Sequence, residues 1–395
     1  MVIAAAFANF VSFGILFSFG LFLTPLAEEF DTSTGPIAPL LSGSIFFYYL
    51  ASAVAGRLAD RRGPRLVTAF GAIALPLGLV LSSFAGSLWQ LYVLYMPLAG
   101  LGVGSCYSPL IGAVGRRFVE RRAVAIAALL TGLGGGSLAM PLLVRFLLDH
   151  MDWRQAFQVL ALLSLVVLGS AALAATKRPT VVPATMADPL VVFRSAAFRR
   201  LYLSVVLVAP GFYAPLAFLN DYAVAHGITT GRAALLLAVI GLGSFSTRLA
   251  FGGAAQRFGA LRQYRLSHAM MLTALIIWLA SGGSFWALAA SALIQGFGWA
   301  AWVTAAPVVL ADWFGVEDLG LLVGGFYTGL GIGALLGPSI SGFVIDRAGY
   351  DPALAAVVVT SAVSLALLLA PLRAGNWLGP QSIPRATASV PQPAT

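Results

Sequence analysis

The chain is built from apolar stretches that are each about as long as a lipid bilayer is thick. A transmembrane helix needs about 20 apolar residues, and twelve such stretches follow one another, separated by short polar segments. Charged residues make up 9% of the 395 residues, against roughly 25% in soluble domains. A soluble fold could not cover its surface with so few charges. The sequence therefore predicts an all-α membrane protein with twelve transmembrane helices.

We number these stretches as spans 1 to 12. Their predicted ranges are 3–26, 37–58, 66–84, 88–114, 123–148, 156–174, 201–225, 233–254, 264–280, 285–310, 319–345 and 353–372.

Several short motifs recur about half a chain apart. The offset is 196 or 197 residues in each case, and the matched pairs are 56–63 with 252–259, 119–120 with 316–317, 131–134 with 328–331, Pro141 with Pro338, and Asp149 with Asp346. Such a repeat predicts two six-helix bundles related by an axis along the membrane normal. We expect an N-terminal bundle over 1–175, a cytoplasmic linker over 176–199, a C-terminal bundle over 200–374 and a disordered cytoplasmic tail over 375–395.

The positive charges predict the orientation. The loops after spans 2, 4, 6 and 8 carry most of the Arg residues, whereas the odd-numbered loops hold only Arg154, Arg232 and Arg347. The loop after span 10 is an exception, because its charges are acidic. Positively charged loops stay in the cytoplasm, so we expect both termini to be cytoplasmic in a multi-pass protein of the plasma membrane, here a bacterial inner membrane. The face that carries the odd-numbered loops is called the outer face below.

One arginine lies well inside a span. Arg248 falls in span 8, where a buried Arg costs roughly 2.5–3.5 kcal/mol on insertion scales and usually serves a water-filled path or a ligand. Its planar fork can hold a carboxylate with two hydrogen bonds. The alternatives are snorkelling toward the cytoplasm and a structural pair with another helix.

Polar and aromatic residues on neighbouring spans are candidate supporting contacts for a substrate. They are Asn9, Tyr107, Tyr213, Trp299, Trp302 and Tyr327. The alternative for each aromatic residue is helix packing or the interfacial belt. No metal site and no cofactor are expected, and the single Cys106 excludes an intramolecular disulfide.

The Gly-rich runs 132–136 and 329–333 predict close helix packing in spans 5 and 11. The alternative, a phosphate-binding loop, lacks the strand, the helix and the following Lys.

Other charged residues lie near span ends. Arg145 and Asp149 are spaced for an i,i+4 pair, and Asp346 is expected to be a boundary charge. Asp221 is expected at the outer interface, with a role in a gate as the alternative. His150, His226 and His268 are all expected near span ends.

The loop between spans 2 and 3 resembles the signature of the major facilitator superfamily. It reads Gly56-x-x-x-Asp60-Arg61-x-Gly63-Pro64-Arg65. The resemblance implies a cytoplasmic gate, with Asp60 near the positive N-terminal end of span 11. The alternative is a charged loop that serves topology alone. The second copy has Gln256 where an acid is usual, which predicts a weaker latch there.

A narrower resemblance covers nearly all of the chain. Spans 7 and 8 contain Gly211-Phe-Tyr-Ala-Pro215 and Arg248-x-x-x-Gly252, which are similar to the monocarboxylate transporter family and its bacterial, oxalate-exchanging relatives. The resemblance implies that Arg248 binds the substrate carboxylate. Many members carry an acid one turn before this Arg, where Ser244 stands, and a Lys in span 1, where Phe17 stands. These departures put proton coupling in doubt.

The sequence thus predicts a secondary active transporter of a small organic anion, a monocarboxylate in the first instance, with a coupling proton or counter-anion as further partner. It predicts no enzyme and no nucleic-acid binding. The main alternative is a proton-driven exporter of drug-like molecules on the same fold, which would require an acid inside the membrane. A second is a membrane sensor without transport, which would require an appended soluble domain.

Overall fold

The computed structural model describes residues 1–118, 122–175, 189–251, 259–314 and 319–370. Within these ranges all regular secondary structure is helical. The predicted tail, most of the predicted linker and the second copy of the gate motif (252–258) lie outside the described residues.

The twelve predicted spans are present as helices. Span 1 consists of Val2–Phe17, a 3₁₀ turn at Phe19–Phe22, and Leu23–Glu29; the other spans are Thr34–Arg62, Pro64–Ser83, Leu88–Arg117, Arg122–His150, Trp153–Ala174, Ala196–Ala225, Thr230–Phe251, Ala260–Leu279, Phe285–Phe314, Leu319–Ala348 and Tyr350–Leu369. A short helix, Pro189–Arg194, precedes span 7. The stretch predicted as linker therefore contains helix in its last part.

Eleven of these segments in the described part of the chain are long and apolar enough to cross a membrane. Span 9, Ala260–Leu279, is the remaining one, because Arg262, Gln263, Arg265 and His268 lower the hydropathy of its first half. Gln263 and His268 are buried within the protein, where a polar group does not meet lipid. His268 is completely buried, and it lies in the interior of the helix Ala260–Leu279 rather than near its end, as had been expected.

The two bundles meet along two equivalent helix pairs. Span 2 packs against span 11, and span 5 packs against span 8. Since span 2 corresponds to span 8 and span 5 to span 11 in the repeat, the two junctions are related by the pseudo-two-fold axis. The 3₁₀ turn of span 1 adds a contact with span 7.

Small residues allow the close approach of these helices. A Cβ atom added at Gly241 of span 8 would lie 2.3 Å from the backbone carbon of Ser137 in span 5. A Cβ atom at Gly20 would lie 2.3 Å from the carbonyl oxygen of Leu216 in span 7. The bundles are therefore in backbone contact at these points.

Candidate functional site

Arg248 lies at the interface between the bundles. Span 8 carries it opposite span 5, and its side chain is only 7% exposed. Its Nε donates a hydrogen bond to Ser244 Oγ, one turn earlier on the same helix, at 3.4 Å. Its Nη1 and Nη2 atoms have no hydrogen-bond partner among the described residues. The two nitrogens that a carboxylate would use are thus free of protein partners in the described part of the chain.

A small cavity lies between the bundles in the same region. The cavity volume that the centres of water molecules can occupy is about 20 Å³. This is enough for one or two waters. The lining residues come from seven spans of both bundles: Phe13, Leu16, Phe17, Ile45, Tyr48, Tyr49, Tyr107, Leu133, Tyr213, Trp299, Trp302, Val303 and Tyr327. The cavity walls are apolar except for the phenol and indole groups.

The guanidinium of Arg248 is coupled to this cavity through phenol groups. It interacts electrostatically with Tyr107, Tyr327 and Tyr48, all three of which line the cavity. Phenol groups can donate one hydrogen bond each and accept others. A bound carboxylate could therefore take two N–H bonds from Arg248 and further O–H bonds from these tyrosines.

Three aromatic contacts join the bundles across the cavity. The hydroxyls of Tyr49 and Tyr213 share a hydrogen bond at 2.8 Å. The ring of Phe17 meets that of Trp299 edge to face, with centroids 6.0 Å apart. The rings of Tyr49 and Tyr327 are 5.8 Å apart. These contacts close the cavity in the present conformation.

Most of the predicted site residues come together here. Tyr107, Tyr213, Trp302 and Tyr327 line the cavity, and Arg248 lies beside it. Asn9 is not among the lining residues; it is buried, and its side-chain nitrogen has no partner in the described ranges.

Sequence reasoning missed Tyr48 and Tyr49 of span 2. A signal was available, because two adjacent phenols lie in the middle of an apolar span, far from the interfacial belt where tyrosines collect. The two departures from the family pattern also lie at the site. Phe17 lines the cavity, and Ser244 accepts the hydrogen bond from Arg248.

Polar contacts tie the two bundles together at the outer face. Thr24 Oγ1 donates to Asp221 Oδ1 at 2.7 Å, and Asp221 is 7% exposed. Asp221 is therefore held inside the protein at the outer face, and the contact fits the alternative of a gate. The two residues are 197 positions apart, which is the offset of the repeat, so they meet at the pseudo-two-fold axis.

Asp346 ties span 11 to the start of span 2. Its Oδ2 accepts hydrogen bonds from Ser33 Oγ at 2.6 Å and from the backbone N–H of Gly35 at 3.0 Å. It thus acts as a helix cap supplied by the other bundle. Its repeat partner, Asp149, instead forms the predicted i,i+4 ion pair with Arg145.

The gate motif ends span 2 at the opposite face. Gly63 has φ 92°, a conformation that favours glycine, and Pro64 begins span 3 directly after it. Gly259 repeats this turn with φ 85°. Gly56 and Arg61 lie in the last two turns of span 2, and Arg65 lies in the first turn of span 3. The Asp60 side chain lies outside the described residues.

The sequence matches the Major Facilitator Superfamily over residues 5–284 and again over 201–391. It is 32% identical to monocarboxylate transporter 11 of Homo sapiens over 367 residues, which cover 88% of this chain and 77% of the relative. It is 29% identical to monocarboxylate transporter 13 of Bos taurus over 364 residues, covering 88% and 83%.

Solved structures share the fold at low identity. A bacterial homologue of the human lysosomal transporter Spinster has a TM-score of 0.70 and 18% identity, covering 93% of this chain and 95% of that structure. The described part of the chain thus forms twelve helical spans in two bundles with a cavity between them, and its relatives include monocarboxylate transporters. The chain belongs to the major facilitator superfamily and, within it, to the monocarboxylate transporter family.

Proposed function

We propose that the chain is a secondary active transporter of a small organic anion, a monocarboxylate in the first instance, and that it works by alternating access. The observation that carries this proposal is the Arg248 guanidinium, which is buried at the bundle interface with two nitrogens that lack partners among the described residues. The relatives named monocarboxylate transporters support it.

The energetic argument starts from the cost of that charge. A buried cation without a counter-charge is expensive, because the protein does not replace the hydrogen bonds that water would supply. Among the described residues its only acceptor is Ser244 Oγ, at the end of one long hydrogen bond. An anionic ligand would supply the missing charge and two acceptors in the geometry that a guanidinium prefers. The site is therefore best matched to a carboxylate.

The contacts between the two bundles indicate how one bundle would move against the other. The junctions of span 2 with span 11 and of span 5 with span 8 flank the cavity. Rocking of one bundle against the other about these junctions would open the cavity to one face at a time. With the orientation given by the positive loops, the protein would lie in a bacterial inner membrane with both termini in the cytoplasm.

The driving gradient would be carried by a proton or by a counter-anion. None of the cavity-lining residues is a carboxylic acid, and the position one turn before Arg248 holds Ser244. Exchange of one anion for another needs only the fixed positive charge, so we favour a counter-anion.

The direct test is uptake of labelled pyruvate, lactate and other small acids into proteoliposomes that contain the full chain. We expect Arg248→Gln to weaken binding about 10- to 100-fold, since hydrogen bonds to a charged group contribute about 1.5–3 kcal/mol. The matched control is Arg145→Gln, which removes an arginine near the outer end of span 5 whose partner is Asp149 rather than the cavity. Equal uptake by the native chain and Arg248→Gln would remove the role of Arg248. Protection of cells from toxic cations, without carboxylate uptake, would favour the exporter instead.

A stability measurement separates a ligand-binding arginine from a structural one. If Arg248 is kept for a ligand, Arg248→Gln should leave the thermal unfolding temperature of the ligand-free protein unchanged or raise it, because a costly buried charge is removed. The rise in that temperature on adding a carboxylate should disappear. A structural arginine predicts a large loss of stability without any ligand.

A further inference from the structure

We infer that the substrate carries an aromatic or similarly flat apolar group, so that the site takes an aryl-substituted monocarboxylate in preference to a small aliphatic one. The inference rests on the proposed function of Arg248 and names the substrate class for that site. It follows from the cavity walls rather than from the arginine.

The cavity walls contain a much larger fraction of aromatic residues than the chain as a whole. Aromatic residues make up 11% of the chain but nine of the thirteen residues that line the cavity. They come from both bundles, with Phe13, Phe17, Tyr48, Tyr49 and Tyr107 on one side and Tyr213, Trp299, Trp302 and Tyr327 on the other. A flat ring placed between the bundles would therefore meet aromatic surface on each side.

The rings are arranged to accept another ring. Trp299 packs edge to face with Phe17 of the other bundle, with an interplanar angle of 88°, and with Tyr213 at 74°. Edge-to-face and offset stacking are the favoured geometries of aromatic pairs. When the bundles part, the Phe17–Trp299 contact must open. The ring edge and the ring face that formed this contact then lose their partner. An aryl group of the substrate restores both contacts, whereas pyruvate or lactate leaves that surface uncovered.

The charge of the site limits the substrate to one carboxylate. No lining residue of the cavity is cationic, and Arg248 is the cation that the phenols of Tyr107, Tyr327 and Tyr48 face. A second carboxylate would lie among apolar rings without a charged partner, which is costly in a buried site. The expected substrate is thus anionic at one end and apolar at the other.

The test compares two probes that differ by one phenyl group, pyruvate and phenylpyruvate. Their affinities are measured by competition with a labelled acid in proteoliposomes and by the shift in thermal unfolding temperature. We expect phenylpyruvate to bind about 10- to 100-fold more tightly, since burying a phenyl group in contact with other rings contributes about that factor. A dicarboxylate such as succinate should bind more weakly than either.

Two variants assign the preference to the walls. Trp299→Leu and Phe17→Leu should each reduce the ratio of phenylpyruvate to pyruvate affinity about tenfold. Phe22→Leu is the packing control, because Phe22 is buried against Phe157 inside the N-terminal bundle and does not line the cavity; it should lower stability without changing the ratio. The ratio is the informative readout, since a loss of folding would affect both probes equally.

The outcomes separate this inference from the proposed function. If the native chain binds pyruvate as tightly as phenylpyruvate, the aromatic preference is overturned and the anion site stands. If Phe22→Leu changes the ratio as much as Trp299→Leu does, the walls do not determine specificity. If neither acid nor any other carboxylate binds, the proposed function fails and this inference falls with it.

Discussion

The two faces of the interface between the bundles differ in how tightly the bundles meet. Toward the outer face a Cβ atom on Gly20 would lie 2.3 Å from a backbone oxygen of the other bundle, and the Thr24–Asp221 hydrogen bond follows one turn later. Toward the opposite face a Cβ atom on Gly324 of span 11 would meet only Ala53 of span 2, at an ordinary 3.9 Å. Among the residues that the structure describes, the outer face is therefore closed by backbone contact and polar ties, and the opposite face is the looser one.

The repeat shows why the two equivalent helix junctions, on either side of the pseudo-two-fold axis, are held together differently. Asp149 and Asp346 occupy equivalent positions, yet only Asp346 reaches the other bundle. The cause lies one turn earlier in the helix: Arg145 pairs with Asp149, and the equivalent position in span 11 is Gly342. A Cβ atom on Gly342 would lie 3.0 Å from the Cα of Gly35. Because Gly342 has no side chain to pair with Asp346, the Asp346 carboxylate can accept hydrogen bonds from the start of span 2. The missing side chain also lets span 2 pack closely against span 11.

The largest effect is expected from adding one methyl group where the bundles touch. Gly20→Ala places a Cβ against the carbonyl oxygens of Leu216 and Ala217, which cannot move aside as a side chain could, so the closed outer face should lose about 10- to 100-fold in population. The reporter is a single cysteine, Leu133→Cys in a Cys106→Ser background, labelled by an impermeant maleimide from the outer face. Gly324→Ala is the matched control, because its Cβ meets only an ordinary contact. Equal labelling of the two variants would contradict the difference between the faces.

A smaller effect is expected from breaking the hydrogen bond between Thr24 and Asp221 at the pseudo-two-fold axis. Thr24→Val removes the hydroxyl that donates to the buried Asp221 and leaves a carboxylate without that donor, at a cost of about 1–3 kcal/mol. Labelling of the same cysteine should rise about fivefold or more. Thr24→Ser keeps the hydroxyl and should behave like the native chain; a rise in labelling there would mean that packing, not the hydrogen bond, closes this point.

The smallest effects are expected at the two repeat aspartates. Asp346→Asn removes a negative charge from the N-terminal end of span 2, where such a charge contributes about 0.3–1 kcal/mol, or about twofold to fivefold in labelling. Asp149→Asn breaks an ion pair within one helix and should change labelling by less than about twofold, since exposed pairs contribute little. Identical responses would show that the two junctions close by the same means.

Much of the fold could be predicted from the sequence because membrane helices are long, apolar and marked by charged loops. The offset between Thr131 and Thr328 identified the two halves before any contact was known. Span 9 was harder, since Gln263 and His268 make it resemble a polar segment until its burial inside the C-terminal bundle is seen.

The site was predicted in part. Arg248 stood out because a charge inside a span is costly, and Tyr107, Tyr213 and Tyr327 were found through their hydroxyls. The rotation of each helix could not be predicted, because lipid-facing and buried residues are both apolar in a membrane protein. For that reason Asn9 was expected at the cavity and Tyr48 was missed. The pairing of Thr24 with Asp221 could have been predicted from the repeat offset, but only by matching two equivalent positions that hold different residue types.

The buried positive charge of Arg248, whose two Nη atoms have no partner among the described residues, also has an electrical consequence. With the proposed anion bound, the site carries no net charge when it crosses between faces, whereas the empty site carries one positive charge. A membrane potential acts on moving charge with about 2.3 kcal/mol per elementary charge per 100 mV. We therefore expect voltage to change the return of the empty carrier and to leave the loaded crossing nearly untouched, so that anion-for-anion turnover is electrically silent while net flux generates a current.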